Sequence, residues 1–331
     1  MKTFIQLALI CFILLIPLSS QSQVKIIFDT DFGGDADDLG ALAMLHNLEN
    51  KGECEILGIM SWSTEKYVIP ALDALNRYYN NPEIPIAIRA KEVQYTEWNY
   101  NEVLAKNLDH ELNYEDVPLA KDLYRKILSG EKDNSVILVT VGPLKNIQDL
   151  LMSEPDEFSE LNGKELFHKK IKKMVIMGGK FPEGENEWNF NGNMPGVTKY
   201  VLDKVKLPVI FSGYEIGVRI RTGEIFNQLD KDHPLYLGYY HYSKNAPWMK
   251  EYYDGEILDN STYDQTAVLY AIRGGEGEFW DKINEGYCQV NEKGDNKWVP
   301  GEPGNQSYLI LKKDPEEMAT LIENLMLGRM N

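Results

Sequence analysis

Six short apolar runs, most of them followed by a stretch with helical spacing, constrain this chain more than any other feature. They lie at Val24–Phe28, Glu55–Met60, Ile84–Ile88, Val136–Val141, Lys173–Met177 and Leu207–Phe211. A strand that is apolar on both faces must be covered on both faces, and intervening helices supply that cover. The rhythm predicts an α/β fold: an open, mostly parallel, Rossmann-like sheet flanked by helices. From about Glu224 onward the strand-like runs thin out, and Tyr236–Tyr253 is dense in Tyr, Trp and His. This predicts a helical or loop cap contributed by the C-terminal third. No internal repeat or Pro/Ser-rich linker divides the chain, so residues 23–331 read as a single domain.

The first 22 residues stand apart from that rhythm. Lys2 precedes a segment, Phe4–Leu18, that is apolar except for Gln6, and Pro17 is followed by small residues suited to cleavage. The pattern is that of a secretory signal peptide, so a secreted or periplasmic location is expected. The apolar run is shorter than the roughly 20 residues a membrane span needs, so no stable membrane anchor is expected. Removing this leader leaves 33 basic against 51 acidic side chains, a net charge of −18. Such a field disfavours nucleic-acid polymers and anionic membranes. It also favours neutral, non-phosphorylated small molecules as substrates. The 43% hydrophobic and 26% charged content suits a chain with a buried core. Cys11, Cys54 and Cys288 form no CxxC pair, which argues against a thiolate zinc site and leaves at most one bridge, Cys54 to Cys288.

The loop after the first apolar run carries Asp29, Asp31, Asp35, Asp37 and Asp38 within ten residues, together with two glycines and no basic residue. Carboxylates crowded at the end of a buried strand repel one another unless something neutralises them. A hard cation with an all-oxygen shell, such as calcium, does so. An EF-hand is excluded because no Glu closes the twelve-residue frame. The alternative is a solvated acidic turn that favours the start of a helix.

Four motifs in order resemble those of the inosine-uridine-preferring nucleoside hydrolases, calcium-dependent N-ribohydrolases of open α/β fold. Asp29-Thr30-Asp31 with a following Gly and Asp37-Asp38 resembles the DTDPGxDDA signature. Thr140–Ile147 resembles the TGPLTN turn, Met177-Gly178-Gly179 with Glu187-Trp188-Asn189 resembles the MGG…EFN segment, and Tyr263-Asp264 stands in place of His-Asp. The resemblance runs from about Lys25 to Ile272. It implies a nucleosidase that hydrolyses the N-glycosidic bond of a ribonucleoside, and a partner that is a small nucleoside or riboside. Calcium would be held by Asp31, Asp38, Asp264 and the carbonyl of Val141. Asp31 would accept a proton from the calcium-bound water, and Asp37, Glu187 and Asn189 would hold the ribose. Family members are often dimers or tetramers, so a homo-oligomer is expected.

The sequence also departs from the family pattern. Phe32 replaces the Pro, and two extra residues bring in Asp35, which is a candidate to replace Asp37 or Asp38 in the metal shell. Ser61 stands where an Asn helps bind the sugar, and Asn186 is a candidate for the missing upstream ribose Asn. Tyr263 replaces the His proposed as leaving-group acid. A phenol with an ordinary pKa near 10 is less suited to proton shuttling at neutral pH, which predicts slow or altered base specificity. His241, in a Tyr-rich segment, is a candidate base-contacting group, as is Trp188 between the two ribose residues; ordinary packing is the alternative for each. Glu215, at another strand end, is a possible extra acid. Two rival functions are a secreted calcium-dependent riboside-binding protein and a HAD-type phosphatase. The phosphatase ranks lower, because Asp37-Asp38 follow the first Asp pair at once and the field is negative.

Overall fold

The computed structural model describes residues 23–329; the leader predicted over residues 1–22 lies outside the described residues. The strands are β1 (Val24–Thr30), β2 (Cys54–Ser61), β3 (Ile86–Ile88), β4 (Val136–Thr140), β5 (Ile171–Met177), β6 (Glu183–Gly184), β7 (Val209–Ser212), β8 (Arg221–Thr222), β9 (Asn260–Ser261), β10 (Trp280–Val290) and β11 (Asn296–Leu311). The helices are α1 (Ala36–Asn50), α2 (Val68–Tyr78), α3 (Asn101–Asn107), α4 (Ala120–Gly130), α5 (Lys145–Leu151), α6 (Gly163–Lys170), α7 (Trp188–Asn191), α8 (Val197–Lys204), α9 (Tyr214–Gly217), α10 (Pro234–Asn245), α11 (Asp264–Arg273) and α12 (Pro315–Met326).

All six predicted strands are present, and they pair in parallel in the order β7-β5-β4-β1-β2-β3. Side chains alternate across each strand, so one apolar run feeds two cores. Ile26 and Phe28 of β1 and Val139 of β4 enter the core beneath α1, α2, α10, α11 and α12. Ile27 and Leu138 enter the opposite core, beneath α4, α5, α6 and α8. The fold class expected from the sequence is thus the one observed. α10 supplies part of the predicted cap, with Tyr239 and Tyr242 buried against the first core.

The C-terminal third departs from the expectation that strands thin out. β10 and β11 form a long antiparallel pair, and Gln306–Tyr308 of β11 pairs in parallel with β7. These strands alternate buried and exposed residues and are interrupted by Gly286, Pro300 and Pro303, so they offer no continuous apolar run. A half-exposed antiparallel hairpin is betrayed by period-two alternation instead. Cys54 and Cys288 are both free and buried, so the one bridge open to the described chain is not formed. Among the described residues no helix is long and apolar enough to cross a membrane.

The chain leaves β1 for β2 and β3 on one side, and β4, β5 and β7 lie on the other. The connections therefore diverge between β1 and β4, and a crevice opens beyond the carboxyl ends of these strands.

Candidate active site

That crevice is a cavity of about 890 Å³ whose walls are the loops following β1, β2, β3, β4, β5 and β7 and the start of α11. Its floor is acidic. Asp37 and Asp38 lie in the first turn of α1, and Asp264 begins α11. Carboxylate oxygens of these three buried residues lie within 4.8 Å of one another. The Asp37 carboxylate accepts from the backbone N–H groups of Tyr263 (3.3 Å) and Asp264 (3.2 Å), tying two helix N-termini together. The Thr30 hydroxyl donates to Asp38.

Burial pushes all three carboxyls well above their usual range, and the charges of neighbouring acids, Asp31 among them, push in the same direction. Among the described residues no Lys or Arg forms an ion pair with Asp31, Asp35, Asp37, Asp38 or Asp264. Three buried, mutually repelling oxygen donors without a protein cation fit a hard divalent ion.

The loop that carries the cluster is fixed from below. Asp29 faces away from the cavity and accepts from the Tyr124 hydroxyl (2.7 Å) and the Asn146 amide (3.2 Å); burial raises its pKa to about 7. Phe32 is buried edge-on against Tyr100 at 5.2 Å, and the Tyr100 hydroxyl accepts from Gly33 N–H at 3.1 Å. Gly33 has φ +115, and a Cβ there would lie 2.1 Å from the Asn101 amide, so the turn requires glycine. Asp35 caps α1 by accepting from Ala36 N–H at 2.7 Å and is also held by the Asn260 amide. It lines the cavity but lies outside the group of three close carboxylates, as does Asp31.

Asp31 projects from the carboxyl end of β1, and its Oδ2 accepts from Trp188 Nε1 at 2.7 Å. Burial raises its pKa to about 7, opposed by that indole hydrogen bond. Glu187 caps α7, with its carboxylate accepting from the N–H groups of Gly179 (2.8 Å), Asn189 (3.0 Å) and Phe190 (3.0 Å). The Asn189 amide nitrogen donates to the carbonyls of Val141 (3.0 Å) and Met177 (3.1 Å), so the segments after β4 and β5 are pinned together. Asn189, Val141, Glu187 and Trp188 all line the cavity. Trp188 remains 47% exposed, and its ring meets Trp62 edge-on at 6.0 Å.

Tyr263 lines the cavity with its ring stacked on Tyr214 at 5.3 Å; burial pushes its phenol above the ordinary value, so it stays protonated at neutral pH. His241 is not brought to the cavity. It lies on α10 against the main chain of Trp98, with burial holding its pKa below the ordinary value. The Ser61 hydroxyl is spent on the Ser63 carbonyl at 2.9 Å, whereas Asn186 reaches the cavity wall. Glu215 lies outside the lining and accepts from Phe181 N–H at 2.9 Å.

Sequence reading passed over Arg89, Lys180, Gln94 and Trp98, which also line the cavity. Arg89 immediately follows a predicted strand, and that position was its available signal. Trp98 sits in the irregular segment before α3 and carries no such signal.

The family model for inosine-uridine preferring nucleoside hydrolases matches residues 26–315. The chain belongs to this family. Its fold is that of solved nucleoside hydrolases. A plant nucleoside hydrolase is 17% identical with a TM-score of 0.66, covering 91% of this chain and 98% of its own. A purine-preferring ribonucleoside hydrolase from Gardnerella vaginalis is 15% identical with a TM-score of 0.64, at 92% and 97% coverage. An inosine-guanosine nucleoside hydrolase is 19% identical with a TM-score of 0.65, at 93% and 99% coverage. No curated protein matches at the sequence level. The resemblance read from the four motifs therefore holds, and the protein is a hydrolase acting on N-glycosyl compounds.

Proposed function

We infer that this hydrolase cleaves the N-glycosidic bond of a ribonucleoside to give ribose and free base, with a calcium ion at the carboxylate floor. The observation that carries this reading is the meeting of Asp37, Asp38 and Asp264 with Asp31 and the Glu187–Asn189 turn in one cavity at the topological switch point. Asp38, Asp264 and Asp37, together with the Val141 carbonyl and Asp31 on the same cavity wall, are the residues that would hold calcium. Bound there, calcium would offset the buried charges, orient the ribose 2′ and 3′ oxygens and acidify a water.

The protein's own groups account for the remaining tasks. Asp31, aimed by the Trp188 indole, accepts the proton of the attacking water. The fixed carboxylate of Glu187 faces the positive charge that develops on the sugar as the bond breaks. Asn189, whose amide nitrogen is already engaged, offers its amide oxygen to a ribose hydroxyl. Tyr263 keeps its proton and so donates a hydrogen bond to the departing base, which favours bases that leave readily as anions. The apolar leader supports export, in keeping with scavenging of extracellular or periplasmic nucleosides.

Free ribose released from a nucleoside panel, in calcium and in EDTA, tests the reading. Release is expected in calcium and not in EDTA, with Asp31→Asn slower by about 10²–10⁴-fold. Saturable binding without release from any nucleoside would favour a riboside-binding protein; phosphate release from monoesters would favour a phosphatase.

A further inference from the structure

Arg89 is a cation in the wall of an acidic site; the charges of Asp149 and Glu92 act on it from nearby, but among the described residues no acid makes a direct ion pair with it. It follows β3 directly, and its backbone N–H donates to the Ser61 carbonyl at 2.9 Å. Its side chain is half-buried in the cavity wall. The guanidinium carbon lies 4.5 Å from the centre of the Trp62 ring, and Nε donates to the Trp62 carbonyl at 2.7 Å. Stacking plus one hydrogen bond fixes the plane of the group. Neither terminal nitrogen has a hydrogen-bond acceptor, and Arg89 makes no ion pair, among the described residues. The Trp62 indole N–H beside it is shielded from solvent and also lacks an acceptor. Lys180, the other cation of the wall, is engaged: its ammonium donates to the Glu185 carbonyl at 3.1 Å and lies over Tyr214.

A fixed guanidinium with two free parallel donors matches a phosphate or carboxylate fork-to-fork. The cavity, near the upper end of the 300–1,000 Å³ usual for ligand sites, has room for such a group beside a riboside. The net negative charge of the chain does not forbid it. Charges farther away than the Debye length of about 8 Å are largely screened at physiological ionic strength, whereas a direct contact in a half-buried wall is not.

We propose that Arg89 recognises an oxyanion carried by the riboside, so that the preferred substrates are anionic ribonucleosides bearing a phosphate on the sugar or a carboxylate on the base. The proposal rests on the riboside-hydrolase reading, and it revises the preference for neutral substrates drawn from net charge.

Two matched pairs test it with the full chain in calcium: inosine against inosine 5′-monophosphate, and uridine against orotidine. In the wild type, kcat/KM for at least one anionic member should exceed that of its neutral counterpart by about tenfold or more, the scale of a charged hydrogen bond. The pair that shows the preference tells whether the oxyanion sits on the sugar or on the base. Arg89→Gln should lower that ratio about tenfold. Arg89→Lys, which keeps charge but not the fork, should lower it less and guards against a folding defect. Absence of the preference in the wild type, or its survival in Arg89→Gln, overturns the proposal. If neither these four compounds nor any member of the nucleoside panel is cleaved, it is the riboside-hydrolase reading that has failed. Calorimetric binding of the same compounds to the wild type and Arg89→Gln then decides the oxyanion site by the same ratio.

Discussion

Trp188 serves the site through its indole N–H more than through its ring. The ring is nearly half exposed, so little of the fold depends on it, yet the N–H meets Asp31 at 2.7 Å. A hydrogen bond to a charged group is worth about 1.5–3 kcal/mol, equivalent to roughly 10–100-fold in rate where the bond holds the reacting carboxylate in place. Trp188→Phe keeps the ring and deletes the donor. It should lower kcat by about that factor and lower the unfolding free energy by no more than the ~1.5–3 kcal/mol of the hydrogen bond itself; steady-state kinetics beside denaturant unfolding would show both. A loss of stability without loss of rate would make Trp188 a packing residue. The placement of Asp31, Asp37 and Asp38 on one cavity wall was legible, because they follow one strand in a strand-loop-helix motif, whereas Asp264, in a distant helix, was reached only through the family resemblance. Arg89 had only its place at a strand end to mark it, and Trp98 had nothing, because it joins the site through the irregular segment between β3 and α3, where no period links sequence to position.

Tertiary burial erases the usual sequence pattern in α1. Every residue from Ala36 to Leu48 except Asn47 is buried, because β2 lies on one side and α10, α11 and α12 press on the others. A helix covered all round has no polar stripe, so its boundaries come from its cap and not from its periodicity. The same logic in reverse explains why β10 and β11 were missed: one of their faces is wet, and their apolar residues are diluted.

Burying α1 also traps His46. Its ring stacks on Tyr79 at 5.0 Å, its Nε2 has no partner, and burial lowers its pKa to about 3. The nearby Asn76, Asn81 and Tyr79 are uncharged at these pH values and cannot compensate an imidazolium. Because the folded value lies below the ordinary 6.5, the unfolded chain binds this proton first as pH falls, and stability drops between about pH 6.5 and 3. The slope reaches at most about 1.4 kcal/mol per pH unit for one proton. His46→Phe keeps a stacking ring without the titration. Its stability should fall less steeply than that of the wild type between pH 6 and 4, as measured by denaturant unfolding across that range. Superimposable slopes would sink the assignment.

The acid cluster joins parts of the chain far apart in sequence. Asp37 and Asp38 belong to the first β-α unit, and Asp264 opens α11, more than 220 residues later. The two helices pack directly against each other, so the cluster lies at a joint between the first unit and the cap-bearing end of the chain. Without a cation, that joint holds like charges in a buried place, which works against docking. With one, the repulsion becomes shared coordination, and only a folded chain brings the three carboxylates together. Metal binding should therefore stabilise the global transition instead of one loop, by RT ln(1 + [L]/Kd), or about 2.7 kcal/mol at a hundredfold excess over Kd. Unfolding in calcium should show a higher midpoint than in EDTA, with probes in both halves of the chain shifting together. In Asp264→Asn the calcium-dependent shift should shrink towards zero, while the EDTA midpoint stays level or rises because one buried charge is gone. Equal midpoints in calcium and EDTA for the wild type would remove calcium from the floor of the cavity, whatever the activity assay reports.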